Sequence, residues 1–439
     1  MTTFPRLAAG RLPVLGHALR LRNRPLEFVR GLRSQGAITR IRLGAREVYV
    51  VNSPELIWDV LVTHSRKFDK GELFDRLRPH LGNGLVTSSG AFHHRQRRLT
   101  QPAFHANQVA RYAEIMSRHV AEWTAGWRPG EPLDLTGEID RVTLRILMAV
   151  LFGPEPVAGL AAKVTGWLSV RQAAMKQALA PRSPWLDRLR SRDVEPAKQR
   201  AKAELCAALA AVISGRRAGA GDGDLLSMLV RTQDPRTGDA MTDDEVCDEL
   251  LTLFVAGTGT LSAALAWTFH TVPMYPRVEA HLHSEVDAVL HGGPASMTDV
   301  PRLGYVRQVV QEVLRVHPVW LLMRRAIAPV ELDGVVLTPG DEVFFSPHAL
   351  HRDPLLYPEP DRFDPGRWAH ARPPRGAFLP FGAGNRLCVG EDFAWLEMII
   401  MVGTVAAGWR LEPVAGHRVR ARIGTVDRPD RLLMTPVPR

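Results

Sequence analysis

Cysteine is scarce. Three residues, Cys206, Cys247 and Cys388, are spread over a chain of 439 and form no CxxC pair. That excludes a disulfide-stapled framework and a zinc ribbon. The opening stretch, MTTFPRLAAGRLPVLGHALRL, lacks an apolar run long enough to cross a bilayer and lacks the charged-then-apolar pattern of a secretory leader. These absences predict a cytoplasmic protein with no membrane anchor. Internal repeats are missing too. The single low-complexity piece, GRRAGAGDGD (215–224), reads as a surface loop between helices, too short for a domain linker. The net charge is +10, yet there is no basic tail and no arginine stripe interleaved with aromatics. Nucleic-acid binding, which would show as salt-sensitive association, is therefore the weakest reading. A basic face for an acidic protein partner accounts for the arginines at least as well.

What is present suits a large core: 45% of residues are hydrophobic and 23% charged. The stretch AITRIRLGAREVYVV (37–51) alternates around Gly44 and predicts a β-hairpin, preceded by a helical VRGLRSQG. From Pro54 to about Leu290 the pattern is mostly helical. VELDGVVLTPGDEVFF (330–345) predicts a second hairpin turning at Asp333-Gly334. A final helix starts just after Cys388. The expectation is a mainly α protein with small β-sheets, β-rich at about 37–52 and 319–350. It forms one domain over 1–439 and acts as a monomer.

The loop FGAGNRLCVG (381–390) surrounds Cys388 with Phe381, Gly382, Gly384, Arg386 and Gly390. A thiolate is a soft ligand suited to iron. The helix that follows offers free N–H groups and a positive dipole end to its charge. Gly384 and Gly390 permit a positive φ or the close approach of a flat ligand, and Arg386 can pair with an anionic group on it. A cysteine alone is more often a buried structural residue; the full spacing F-x-x-G-x-R-x-C-x-G argues otherwise.

This stretch resembles the haem-binding loop of the cytochromes P450, in which the cysteine thiolate is the axial iron ligand. The resemblance implies a triangular-prism fold, with haem b held between a long central helix and the cysteine-loop helix. Other segments carry it as well. QEVLRVHP places Glu312 and Arg315 on one helix face, like the family's E-x-x-R pair, and FDPGRW supplies Arg367 as the third member of that structural network. HHRQRRLTQPAF places His93 and Arg97 one turn apart, where the family binds haem propionates. Arg324, nine residues after Arg315, matches a further propionate partner, with Arg325 as the alternative. Arg95 and Arg98 point elsewhere and are candidates for docking an acidic redox partner.

TDDEVCDELLTLFVAGTGTLSAALAWTFHTVP (242–273) predicts the central helix, capped by Thr242 and Glu245 and stopped by Pro273. Two glycines in its middle cost about 1 kcal/mol each relative to alanine. Helix packing or a ligand pressed into the groove would offset that. The segment resembles the family's oxygen-activating A-G-x-[D/E]-T. Ala256, Gly257 and Thr260 match, but Gly259 stands where the acid belongs. In the family that acid and threonine help move protons to the reacting dioxygen. Three readings stay open: a water chain anchored by Thr260, a relay completed by the substrate, or an unusual reaction tolerant of poor proton delivery.

On the substrate side, periodicity puts Thr252 and Val255 on the face of Ala256 and Thr260. Val319, Trp320 and Leu322 follow the E-x-x-R helix, and Gly424 and Thr425 lie in RIGTVDRP near the C-terminus. These residues are mostly apolar and carry no charged anchor, which predicts an apolar small molecule. The chain looks similar to actinobacterial members that oxidise sesquiterpenes. The resemblance thus implies a monooxygenase using O2 and electrons from a ferredoxin and its reductase, in terpenoid secondary metabolism. Because of Gly259, the alternatives are a peroxide-driven or rearranging enzyme and a non-catalytic haem sensor.

Overall fold

The cap predicted at Thr242 forms. Thr242 Oγ1 accepts from the Glu245 N–H at 3.2 Å, and the Glu245 carboxylate accepts from the Thr242 N–H at 3.0 Å. From this cap the central helix runs over Asp243–Thr271, about 44 Å at the usual rise. It ends in a short 3-10 turn, Val272–Met274, that contains Pro273. By length and composition it could cross a membrane, but most of it is enclosed by protein. The structure, a computed structural model, describes residues 5–153, 157, 159–178, 184–219, 223–370, 372–424 and 426–439.

Two helices pack along the central one: Leu135–Phe152 and Glu391–Gly408. The second is apolar on every side, with Met398 to Val402 buried in succession, as a helix enclosed by others must be. It also packs on Ala106–Ala125. Leu147, Val150, Leu250, Phe254, Leu265 and Ile400 belong to the resulting core, each contributing roughly 1.5–3 kcal/mol by burial.

Among the described residues the strands form four sheets. A six-stranded sheet runs in the order Arg6–Leu7, Ile38–Leu43, Arg46–Val51, Glu342–Phe345, Leu322–Ala326 and Phe68–Asp69. The expected hairpin at 37–51 is there, with Gly44 at φ 66°. The second hairpin is shorter than predicted. Val330–Leu332 pairs with Val335–Leu337 across Asp333 and Gly334, both at positive φ, as a tight hairpin turn requires. Glu342–Phe345 leaves it and joins the large sheet between Arg46–Val51 and Leu322–Ala326. The cause is the Thr338–Asp341 turn, where the Asp341 carboxylate accepts from the Thr338 N–H and hydroxyl at 2.7 and 2.9 Å.

The reading of 215–224 as a loop also needs correction. The preceding helix, Pro184–Arg217, continues through its first residues. Arg216 pairs with Asp224 and Arg217 with Asp243, which ties this stretch to neighbouring elements. Residues 220–222 lie outside the described residues.

Candidate active site

Behind the cysteine loop sits a buried charge network. Glu312 and Arg315 have no exposed surface. Arg315 grips Glu312 with two bonds of 2.9 Å, while Arg367, Trp368 and the Asp364 N–H donate to the same carboxylate at 2.9–3.0 Å. Every acceptor position of a buried carboxylate is thereby served, which is the condition for burying it at all. His351 connects this network to the loop. The Leu379 N–H donates to its Nε2 at 3.0 Å, so Nδ1 carries the proton and faces the Arg315 carbonyl at 3.3 Å. Leu379 stands two residues before Phe381.

Gly382 and Gly384 have φ of 75° and 68°, the left-handed region. A Cβ on Gly384 would overlap the Leu61 carbonyl oxygen. Of the two uses expected of Gly390, a positive φ or the close approach of a flat ligand, the backbone does not take the first. Its φ is −95°, and an added Cβ would only touch Phe104 at 3.7 Å. It precedes the first turn of Glu391–Gly408, with its carbonyl accepting from Ala394 N–H at 2.9 Å. Phe381 lays its ring on Trp395, and its carbonyl accepts from the Cys388 N–H at 3.0 Å. Cys388 is solvent-accessible, yet protein surrounds its thiol closely enough for burial to push its pKa up, opposed by the Gly390 N–H, Arg97 and Lys70. A group both accessible and surrounded lies at the floor of a concave site.

Cations converge on that floor. His93 and Arg97 rise from the helix Gly90–Thr100, and Arg97 donates to the Leu387 carbonyl in the cysteine loop. Arg386 donates to the Ser88 carbonyl at 2.8 Å. Arg324 is nearly buried and, among the described residues, bonds only the neighbouring Met323 carbonyl, at 2.7 Å. Arg325, one step along the same strand, points away and is held by Asp75 and Asp69 at 2.7 and 2.8 Å. Lys70 joins the group with its Nζ 4.5 Å from the Phe74 ring centre. No sequence motif marks it; only its place in space reveals it. Burial and mutual repulsion lower these groups, His93 to about 2, Arg324 to about 9 and Arg386 to about 10, with Lys70 well below its usual range. The acid that acts on Arg324 and Arg386 is Asp69, which Arg325 already holds. Positive charge buried with so little compensation suits a dianion.

The central helix carries an exposed patch in its middle. Ala256 and Thr260 are exposed, although Phe254, Thr258 and Leu261 beside them are buried. Thr260 donates its hydroxyl to the Ala256 carbonyl at 2.9 Å. The two helix glycines have different causes. A Cβ on Gly257 would press on Leu147 at 3.2 Å, so that glycine serves helix packing. A Cβ on Gly259 would meet nothing within 4 Å, so a larger residue would fit there.

Several predicted residues lie elsewhere. Thr252 is buried beneath the turn at Gly84, against which its hydroxyl presses. Val255 is half-buried and packs on the main core. Trp320 packs with Val29 and Ala349 and donates to the Gly424 carbonyl at 2.7 Å. Val319 bridges to Val426 through its backbone. Strand alternation keeps Leu322, half-buried, on the face of Arg324. Gly424 is half-buried, and Thr425 lies outside the described residues. Arg95 and Arg98 are not free for docking. Arg95 is bound to Glu245 at 2.9 Å and Arg98 to Asp234 at 2.5 Å.

An accessible thiol and the buried basic side chains around it fit a flat, doubly anionic, iron-bearing ring. Comparison with known proteins gives the same class. The Cytochrome P450 family profile matches residues 5–437, and the chain belongs to that family. It is 39% identical to cyclooctatin synthase of Streptomyces melanosporofaciens, over 99% of this chain and 95% of the relative. It is 36% identical to pentalenene oxygenase of Streptomyces avermitilis, over 97% and 95%. Its fold is similar to the cytochrome P450DA heme domain, with a TM-score of 0.87 at 22% identity, covering 99% of this chain and 97% of that one. The protein is therefore a haem-dependent oxidoreductase of the monooxygenase type.

Proposed function

We propose that the protein is a haem b monooxygenase that oxidises a terpenoid of sesquiterpene size or larger. In this reading Cys388 ligates the iron, and a ferredoxin with its reductase supplies the electrons. The observation that carries the reading is the convergence of Arg97, Lys70, Arg324 and Arg386 around Cys388. Haem, when bound, supplies dioxygen activation and abstraction of hydrogen from an unactivated carbon.

The chain supplies the rest. The Gly390 N–H and Arg97 stabilise negative charge on Cys388. His93, Arg97, Arg324, Arg386 and Lys70 would hold the two propionates. The hydroxyl of Thr260 already donates to Ala256, so it serves as an acceptor for a proton-carrying water. Ala256 and Leu322 offer apolar contacts with no charged anchor, which favours a hydrocarbon-like substrate and discourages bulk water. The relatives named for cyclooctatin and pentalenene support the terpenoid class.

The test is an optical titration with a panel of terpenoids and fatty acids. A terpenoid should move the haem band from low to high spin more tightly than any fatty acid. Tightest binding by a fatty acid would overturn the substrate class. Cys388→Ala should lose the thiolate signature of the carbon monoxide complex, and an unchanged spectrum would sink the ligand assignment.

A further inference from the structure

Proton delivery is the gap left by this site. Gly259 offers no carboxylate, and the Thr260 hydroxyl is directed to the Ala256 carbonyl at 2.9 Å. The central helix carries two other polar side chains on the relevant face. Glu249 precedes Ala256 by seven residues, which places it within about 20° of the same azimuth and about 10 Å along the axis. Thr252 lies between them. The Glu249 side chain has no exposed surface. Its Oε2 accepts from the Leu85 N–H at 3.1 Å, while Oε1 has no partner among the described residues. Thr252 Oγ1 is likewise buried without a partner.

The segment packed against them has the same character. Ser88 Oγ, both amide atoms of Gln96 and Thr100 Oγ1 are buried and unpartnered among the described residues. Glu249 touches this segment at Leu85 and Thr252 at Gly84, and Arg95 ties the helix Gly90–Thr100 to Glu245, one turn before Glu249. Leaving a buried polar group unmade costs about 1–3 kcal/mol, so Glu249 Oε1 and Thr252 Oγ1 call for ordered water.

We infer that Glu249 and Thr252 form a hydrated proton relay along the central helix to the open face at Ala256 and Thr260, in place of the acid absent at Gly259. Glu249 gives its proton to a water, and the Thr252 hydroxyl accepts one and donates another onward. Glu249 is then reprotonated from the solvent side, where its neighbour Asp248 reaches Lys202 at 3.8 Å. No charge accumulates over a cycle. Burial, reinforced by Asp248 and Glu245 and opposed by the Leu85 N–H, raises Glu249 to about 8. It thus holds a proton to give at neutral pH.

The inference rests on the monooxygenase reading, and the test separates the two. Glu249→Gln keeps the side-chain shape and an acceptor for Leu85 but removes the acidic proton. Infrared spectroscopy of the resting protein should show a protonated carboxyl stretch that shifts in D2O and is missing from Glu249→Gln. Peroxide released per electron consumed should rise several-fold in Glu249→Gln. Adding Gly259→Asp should restore coupling. Thr252→Val, a near-isosteric change, should uncouple in the same direction with an unchanged melting temperature, which keeps the test sharp if Glu249→Gln folds poorly. An unaltered carboxyl band, unchanged coupling in both variants, or no rescue by Gly259→Asp would overturn the relay. Failure of the monooxygenase reading looks different: the wild type itself would yield no oxidised product from any terpenoid.

Discussion

Gly384→Ala tests how the cysteine loop is held. At φ 68° an L-residue pays the left-handed penalty, about 1–2 kcal/mol. The new methyl would also overlap the Leu61 carbonyl oxygen, and relieving such an overlap costs about 1–3 kcal/mol. The expected loss is about 2–5 kcal/mol. Gly382→Ala is the control. Its φ is 75°, but its Cβ would approach nothing nearer than the Arg386 carbonyl oxygen at 3.9 Å. It should therefore lose only the conformational part, about 1–2 kcal/mol. Unfolding entropy of about 2.1 cal/mol/K per residue makes each kcal/mol worth roughly 1 °C for this chain. Thermal melts of the two variants should differ by about 1–3 °C in addition to their shared loss, and haem retention after mild heating should follow the same order. Equal melting temperatures would refute the claim that Leu61 imposes the glycine.

Acid should weaken the fold through buried neutral histidines. His351 is lowered to about 3 and His348 to about 2, both chiefly by burial. With folded values depressed below the unfolded 6.5, their stability is fully present above pH 6.5 and is lost as pH falls. Each contributes a loss of about 2 kcal/mol between pH 7.5 and 5. Denaturant melts at the two pH values should show it, and His351→Gln should flatten the slope; an unchanged slope would contradict the assignment. Thr260→Ala removes the hydroxyl bonded to Ala256 and should release more peroxide per electron consumed. Equal release would show that Thr260 takes no part in proton handling.

Much of the site was readable because its signals are local. The spacing of Phe381 to Gly390 and the i, i+3 placement of Glu312 and Arg315 survive in any register of the surrounding fold. The Thr242 cap was equally local. The readings that failed depended on partners far along the chain. Arg95 and Arg98 look like solvated basic residues until Glu245 and Asp234 fold onto them. The choice between Arg324 and Arg325 rests on strand phase, which the pairing with Glu342–Phe345 decides. Lys70 has no motif, and its neighbours in the cation ring come from three other segments. Gly390 carries the motif's spacing without a left-handed backbone, which was one of the two uses that spacing allowed. Gly257 and Gly259 form one pattern in sequence, but Leu147 explains only the first.

The glycine at 384 has a history written at the opposite end of the chain. The Leu61 carbonyl that crowds it belongs to a single π-type turn, Asp59–Thr63, closed by a bond from the His64 N–H to the Asp59 carbonyl at 2.7 Å. Such a turn is equivalent to one residue inserted into an α-helix. Deleting a residue there would return the segment to ordinary winding and swing the Leu61 carbonyl roughly 100° about the axis. Position 384 would then face only its own backbone preference, and a left-handed asparagine would become admissible. The identity of a residue in the cysteine loop is thus set by a π-type turn more than three hundred positions upstream, and a graft of the loop alone into another scaffold would carry the glycine without its reason.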